Sequence, residues 1–523
     1  MMPKASGRNH NRVGRASRLR KTAATLILAA ISLSAPFSPA LAADHILVLG
    51  GGPSLESSEY SIEQNVIYFQ QISDRLGMAD PSIKILFASG AGDTLDVRQQ
   101  TRETGTLRLT LARLMAGRET DQGVDIDYRH NLICGSDTPA VDTGPCRRED
   151  VMKTMTSLAR SLEPRDRLLI YMTGHGGKGK PVENGHFFAW ESNPISVREF
   201  TAKLDQFDPQ VQVFLVMVQC YSGSFANVIY QGGDPSRGLA KHQRAGFFAA
   251  TDSLPAAGCT PEIKLDAYED FSTYFWAALT GQDRLGKPAP SADYNRDGKI
   301  SGSEAFYYSI VETTTIDMPV STSDSFLRRH APRPSATSTT AIDADHEYSK
   351  LLKVAAPLER LALESMTKRL SLTGEDRIAK AKQRKNGPRV LEPGDNPSQL
   401  ANKDRTLRRS ISQSLSARWP FLRSGWHPQT AEAIAKNDPQ IWDALKSNPS
   451  FDEWSRNRIA LEESRTRLAG FEKRERKIER LIRLAETIVL ADNLEKSGTE
   501  SLKKRYQALR KLEDSFLIAQ TRS

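Results

Sequence analysis

Five short apolar runs, most of them leading through a turn into a helical pattern, constrain the fold of this chain more than any other feature. They occupy residues 45–49, 83–88, 167–172, 211–218 and 246–250, and their apolar residues run on without period-two alternation. A strand wetted on one face alternates. A strand buried on both faces does not, and both faces are usually covered when helices cross over a parallel sheet. Helical spacing falls between the runs, at 61–76, 106–116, 148–162, 197–205, from Ser222 onward and at 267–280, with a hairpin across 179–190. The chain therefore reads as an α/β protein with a mostly parallel sheet covered by helices on both faces.

At 523 residues the chain exceeds what one ordinary core holds. Arg8, Arg12, Arg15, Arg18, Arg20 and Lys21 precede an apolar run at 23–35, which ends at Ala40-Leu41-Ala42. That run is too short to span a bilayer core of about 30 Å, and its small-x-small exit is that of a secretory signal peptide over 1–42. Export to a periplasmic or extracellular space follows, and no later segment is apolar enough for a stable membrane span. The sheet unit extends over 43–330, and a Pro/Ser/Thr-rich linker covers 331–346. A charged helical domain follows at 347–523, where Leu461, Leu468, Ile482 and Val489 recur at heptad-like spacing. Glu475 interrupts that series, so packed helices are expected rather than one regular coiled coil. Trp419, Trp426, Trp442 and Trp454 indicate burial there. The net charge of +9 is spread among acidic residues, and nothing resembles a nucleic-acid motif, so no nucleic-acid partner is expected. In an oxidising compartment Cys134 and Cys146, in a Gly/Asp/Thr/Pro-rich stretch, read as a short disulfide, with two free thiols as the alternative. Cys259 lines a loop or stays free, with a bond to Cys220 as the alternative.

Two of the strands end in reactive side chains. The run at 167–172 leads into Thr173-Gly174-His175-Gly176-Gly177, and that at 211–218 into Gln219-Cys220-Tyr221-Ser222-Gly223. Open α/β sheets gather ligands beyond the carboxyl ends of their strands, so parallel strands would present imidazole and thiol at one edge. Glycines beside His175 permit a sharp turn and close approach, and free N–H groups in such turns can hold an oxyanion. A thiol activated by a neighbouring imidazole attacks a carbonyl and forms a thioester, which is a route to amide cleavage. Either residue alone says little, since a cysteine ending a buried strand is ordinarily an inert apolar group. Their shared placement carries the reading. His186, just before Phe187-Phe188-Ala189-Trp190, reads as structural.

In that order, an apolar strand, Gly174-His175-Gly176-Gly177, a second apolar strand ending in Cys220, and Ser222-Gly223 behind it resemble the catalytic core of legumain-like cysteine peptidases of clan CD. Gly246-Phe247-Phe248-Ala249-Ala250-Thr251-Asp252 is similar to that family's next strand and pocket-forming segment. The resemblance covers about 44–281 and implies a caspase-like α/β/α sandwich acting on a protein or peptide substrate. His175 would be the base, Cys220 the nucleophile, and the backbone N–H groups of Gly176 and Cys220 the oxyanion hole. It also implies intramolecular inhibition by the helical C-terminal domain. Tyr221 departs from the small or acidic residue frequent after the nucleophile, and the specificity pocket is left unplaced. The function expected is a cysteine endopeptidase. The alternatives are a transpeptidase of the same chemistry and a catalytically inactive, calcium-binding caspase-fold scaffold.

Asp293-Tyr294-Asn295-Arg296-Asp297-Gly298-Lys299-Ile300-Ser301-Gly302-Ser303-Glu304 matches an EF-hand calcium loop by position. Asp293, Asn295, Asp297, the Lys299 carbonyl, Ser301 and Glu304 are the expected Ca2+ ligands, with Gly298 at the turn. The alternative is an acidic turn before a helix capped by Ser301 and Glu304.

Overall fold

The computed structural model describes residues 42–100, 110, 111, 114, 126–134, 141–260, 263–266, 269–333, 347–386, 396–424 and 427–520. The expected signal peptide up to residue 41, most of the helix expected at 106–116, most of the expected linker and Trp426 lie outside the described residues.

The central sheet has seven strands, in the order Val320–Ser321, Gln243–Phe248, Gln212–Met217, Arg167–Gly174, Asp44–Gly51, Ser82–Phe87, Asp142–Gly144. Every neighbouring pair is parallel except Gln243–Phe248 with the edge strand Val320–Ser321. The sheet separates two cores, and successive residues of each strand enter them in turn. Ile46, Val48, Leu169, Tyr171, Phe214 and Val216 pack on one side, with helices Tyr60–Ile72 and Phe271–Thr280. Leu47, Leu49, Leu168, Ile170, Val213 and Leu215 pack on the other, with Arg148–Ser161 and Val197–Leu204. With both faces apolar, the period of two is invisible as polarity and survives only as packing. The expected hairpin is a three-stranded sheet, Gly176–Gly177, His186–Ala189 and Asn193–Ser196, and the segment after Cys220 is a 3₁₀ helix, Ser222–Ile229.

The bridge expected between Cys134 and Cys146 is not formed, and both are buried thiols. Each lies in a different one of the two cores, and burial pushes their pKa values up to about 11 and about 12. They behave as packing groups rather than as a loop staple.

The two units expected at 43–330 and 347–523 share a core instead of having one each, because Ala42–Ser523 forms a single compact unit. Leu351, Leu363 and Met366, then Leu481, Leu484, Ile488 and Phe516, join the same cluster as Val48 and Tyr171. Phe516 stacks on Phe214 of the sheet at 5.0 Å between ring centroids, and its carbonyl accepts a bond from Arg167. The last strand, Ile518–Gln520, pairs with Lys299–Ser301. Helix Phe451–Ser497, about 70 Å long at 1.5 Å per residue, spans two environments. Its first half meets Pro397–Arg418 in a satellite cluster containing Ile411, Leu415, Ile441 and Trp454, and its second half packs on the sheet core. The break in heptad spacing near Glu475 thus falls where the helix passes from one partner to the other.

Candidate active site

The strands Arg167–Gly174 and Gln212–Met217 are hydrogen-bonded neighbours in register from Arg167 opposite Gln212 to Met172 opposite Met217. Val218 N–H continues the ladder to the Met172 carbonyl at 3.0 Å, so the histidine and cysteine loops leave the sheet side by side. The loops touch through Gly176, where a Cβ would lie 2.0 Å from the Cys220 carbonyl oxygen and 2.8 Å from Gln219 Cγ. No side chain fits there. Gly174 has φ 151°, and a Cβ on it would sit 2.4 Å from the Gly51 carbonyl. The two glycines beside His175 are thus required by close backbone approach. On the cysteine side the turn is made by Tyr221 with φ 59°, a left-handed conformation that holds strain of about 1 kcal/mol in a non-glycine residue. Its N–H donates to Leu254 O at 3.0 Å, and its carbonyl accepts from Ser224 Oγ at 2.8 Å.

His175 is half-buried, and its Nε2 lies 2.8 Å from the Ser57 carbonyl and 2.9 Å from Glu59 Oε2. A carbonyl oxygen can only accept, so Nε2 carries the hydrogen and Nδ1 keeps the lone pair in the neutral ring. Burial alone would lower the imidazole pKa. The Glu59 carboxylate and the Ser57 carbonyl outweigh it, and the net displacement is upward. Glu59 Oε1 faces the Arg98 guanidinium at 3.8 Å, which orients the carboxylate. Ser57 and Glu59 come from the loop after the first strand of the sheet, which opens at the same edge. Sequence reasoning missed both. The available signal was their position directly after a parallel strand that neighbours the histidine strand.

The Cys220 sulfur accepts from Ala256 N–H at 3.3 Å and lies 3.7 Å from the Ala256 carbonyl. Burial raises its thiol pKa, while the Ala256 and Cys220 backbone N–H groups act against the rise, so the resting group is a thiol that needs a base. His175 and Cys220 do not hydrogen-bond each other. Ala256 belongs to a loop held at several points. Ala257 N–H donates to Asp317 Oδ1 at 2.7 Å, Thr260 N–H to Ser61 Oγ at 2.9 Å, and Ser61 N–H to the Thr260 carbonyl at 3.2 Å. Cys259 is a free thiol in the same loop, with its sulfur 3.7 Å from the Gly174 carbonyl. Behind the site, buried Asn65 joins Thr173 to Asp270 at 3.0 and 2.7 Å, and Arg284 closes the network. A buried polar network of this kind fixes the end of the histidine strand.

In the loop 293–304, Asp293 accepts from Asp297 and Gly298 N–H groups, both at 3.1 Å, and Asn295 Oδ1 accepts from Asp297 N–H at 2.9 Å. Asp297 Oδ1 accepts from Lys299 N–H at 2.8 Å. Glu304 Oε1 reaches across to Tyr294 N–H at 3.0 Å, and Oε2 takes Ser301 N–H at 2.8 Å in a capping box. The oxygen-only donor set fits the chemistry of calcium, and the capping arrangement also forms.

Residues 46–234 match the Peptidase C13 family. The match contains His175, Cys220, Ser57 and Glu59, and supports a legumain-like cysteine peptidase with protein substrates. The central sheet agrees with the caspase-like α/β fold. Among solved structures, protein GSU0716 from Geobacter sulfurreducens aligns with 53% of this chain and 92% of its own length, at 11% identity and a TM-score of 0.31. No curated protein matches the chain. No helix among the described residues is long and apolar enough to cross a membrane.

Proposed function

We propose that the chain is an exported cysteine endopeptidase in which Cys220 is the nucleophile and His175 the general base. The observation that carries the reading is the engagement of Nε2 by Ser57 and Glu59, which leaves Nδ1 basic on a loop in backbone contact with that of Cys220. Nδ1 takes the thiol proton as the sulfur attacks the scissile carbonyl carbon. The oxyanion is received by the Gly176 and Cys220 backbone N–H groups, and the imidazolium returns its proton to the leaving amine. Water then resolves the thioester; an incoming amine in its place would make the enzyme a transpeptidase. The missing direct bond between His175 and Cys220 is expected of an unliganded site, where catalytic hydrogen bonds tighten only with substrate. Glu59 is a positioning residue that holds the tautomer.

Calcium is proposed to bind Asp293, Asn295, Asp297, Lys299, Ser301 and Glu304. The strand within that loop pairs with the C-terminal strand, so the ion would brace the attachment of the chain's end. For residues 347–523 a supporting role is favoured over an inhibitory cover, because the shared core would be opened by their removal. A chain ending before residue 347 that stays folded and gains activity would reinstate the cover.

The test of the dyad is labelling by a peptidyl acyloxymethyl ketone followed by peptide mass mapping. Modification is expected at Cys220 in the wild type and is lost in His175→Ala. Peptide hydrolysis that survives Cys220→Ala refutes the assignment. Absence of both labelling and hydrolysis in the folded, calcium-loaded protein supports the inactive scaffold.

A further inference from the structure

Three side chains around the proposed base belong to three separate segments yet converge. A carboxylate oxygen of Glu59, a ring nitrogen of His175 and the Cys259 sulfur all lie within 4.8 Å of one another, and they form the one such group of three among the described residues. Glu59 is buried and His175 half-buried, and Cys259 is exposed as a residue while its sulfur turns inward beside the Gly174 carbonyl at 3.7 Å. The donors are one oxygen, one nitrogen and one sulfur. Calcium and magnesium take oxygen, whereas imidazole with thiolate selects zinc or a similar borderline cation. Tetrahedral zinc, with bonds of about 2.0–2.3 Å, needs its ligands about 3.3–3.6 Å apart. Glu59 and His175 are already closer than that, at 2.9 Å, and the remaining adjustment falls to the exposed cysteine.

We propose that Glu59, His175 and Cys259 form an inhibitory site for a zinc-type divalent cation. The dyad reading supplies the consequence of binding, while the binding itself stands on the cluster alone. On binding, the Cys259 S–H releases its proton to water and the sulfur donates to the cation. His175 donates a ring lone pair. If that nitrogen is Nδ1, the base is occupied. If it is Nε2, its hydrogen moves to Nδ1, which then cannot accept the Cys220 proton. Both cases leave Cys220 a thiol and stop turnover until the cation is removed. Three protein ligands leave the fourth position to water, as in open zinc sites. Cys259 thereby acquires a role distinct from that of the nucleophile.

The experiment uses cobalt(II) as a spectroscopic substitute for zinc on the full chain in calcium-containing buffer. A sulfur-to-cobalt charge-transfer band in the near ultraviolet and strong visible bands of four-coordinate cobalt are expected in the wild type. They are expected to persist in Cys220→Ala, which identifies the other sulfur as the ligand, and to vanish in Cys259→Ala. Zinc is expected to inhibit wild-type peptide hydrolysis reversibly. The inhibiting concentration should rise at least tenfold in Cys259→Ala, each variant being referred to its own metal-free rate. An active wild type without the sulfur band overturns the site and leaves the peptidase reading intact. A band that survives Cys259→Ala overturns the assignment of ligands. A wild type that shows the band but hydrolyses no peptide sustains the metal site and counts against the dyad instead.

Discussion

Replacing Arg480 by methionine tests whether the C-terminal helices support the site. Arg480 lies in the second half of helix Phe451–Ser497, is 3% exposed, and donates to the carbonyls of Asp317, Thr313 and Thr315 at 2.7, 2.9 and 3.2 Å. Asp317 in turn accepts the Ala257 N–H, next to the residue whose N–H meets the Cys220 sulfur. Methionine keeps most of the apolar stem and removes the cation, so three buried carbonyls lose their donor. A bond to a charged group contributes about 1.5–3 kcal/mol, but burial works against this cation and holds its pKa down to about 10. A net loss of about 3–5 kcal/mol is therefore expected, the range for removing one partner of a buried charged cluster. Urea unfolding followed by tryptophan fluorescence reads the stability, and kcat/KM per folded molecule reads the site, where a fall of about tenfold is expected from a loosened 256–257 segment. Arg483→Met is the control. Arg483 lies on the same helix as Arg480 and pairs with Asp324 of helix Thr322–His330 without touching Asp317, so its loss is expected to lower stability alone. The reasoning is refuted if Arg480→Met stays within about 0.5 kcal/mol of the wild type, as an ordinary surface change does. An equal fall in kcat/KM in both variants refutes the link to the site.

Gly176→Ala places a methyl 2.0 Å from the Cys220 carbonyl oxygen and is expected to reduce kcat/KM by about a hundredfold or more, through displacement of the Cys220 loop; near-normal kinetics would show that the two loops are not in contact. Burial raises the Asp317 pKa from 3.8 to about 6, so between those values the folded chain holds a proton that the unfolded chain has released. Stability should fall as pH rises through that window, by about 3 kcal/mol in total, and the difference between wild type and Asp317→Asn should vary with pH there and level off outside it. Calcium at about a hundred times its Kd is expected to stabilise the wild type by about 2.7 kcal/mol, read as a rise in Tm, and to have no effect on Asp293→Asn/Asp297→Asn. Equal shifts in both proteins would remove the calcium site.

Local pattern made much of this molecule legible. Unbroken apolar runs such as 168–172 and 213–218 appear as adjacent parallel strands because burial on both faces leaves that signature in consecutive residues. His175 and Cys220 stood out because each directly follows such a run, and the glycine context of His175 is explained by contacts of the backbone itself. Spacing and compartment favour a bridge between Cys134 and Cys146, yet both are free thiols. Spacing says nothing about which face of the sheet a side chain enters, and the two enter different cores.

Chemistry that depends on the partners of a side chain was decided by the tertiary structure. Glu59 is separated from His175 by 116 positions and Arg480 from Asp317 by 163, and no periodicity spans such distances. The choice of basic nitrogen, the N–H at the Cys220 sulfur and the cluster with Cys259 arise only when βα loops from separate strands meet at one sheet edge, and the shared core arises only when the C-terminal helices pack on the sheet. Strand identity is written in neighbouring residues because it is a matter of local burial. The protonation and reactivity of a thiol and an imidazole depend on charges and donors brought to them from elsewhere in the chain.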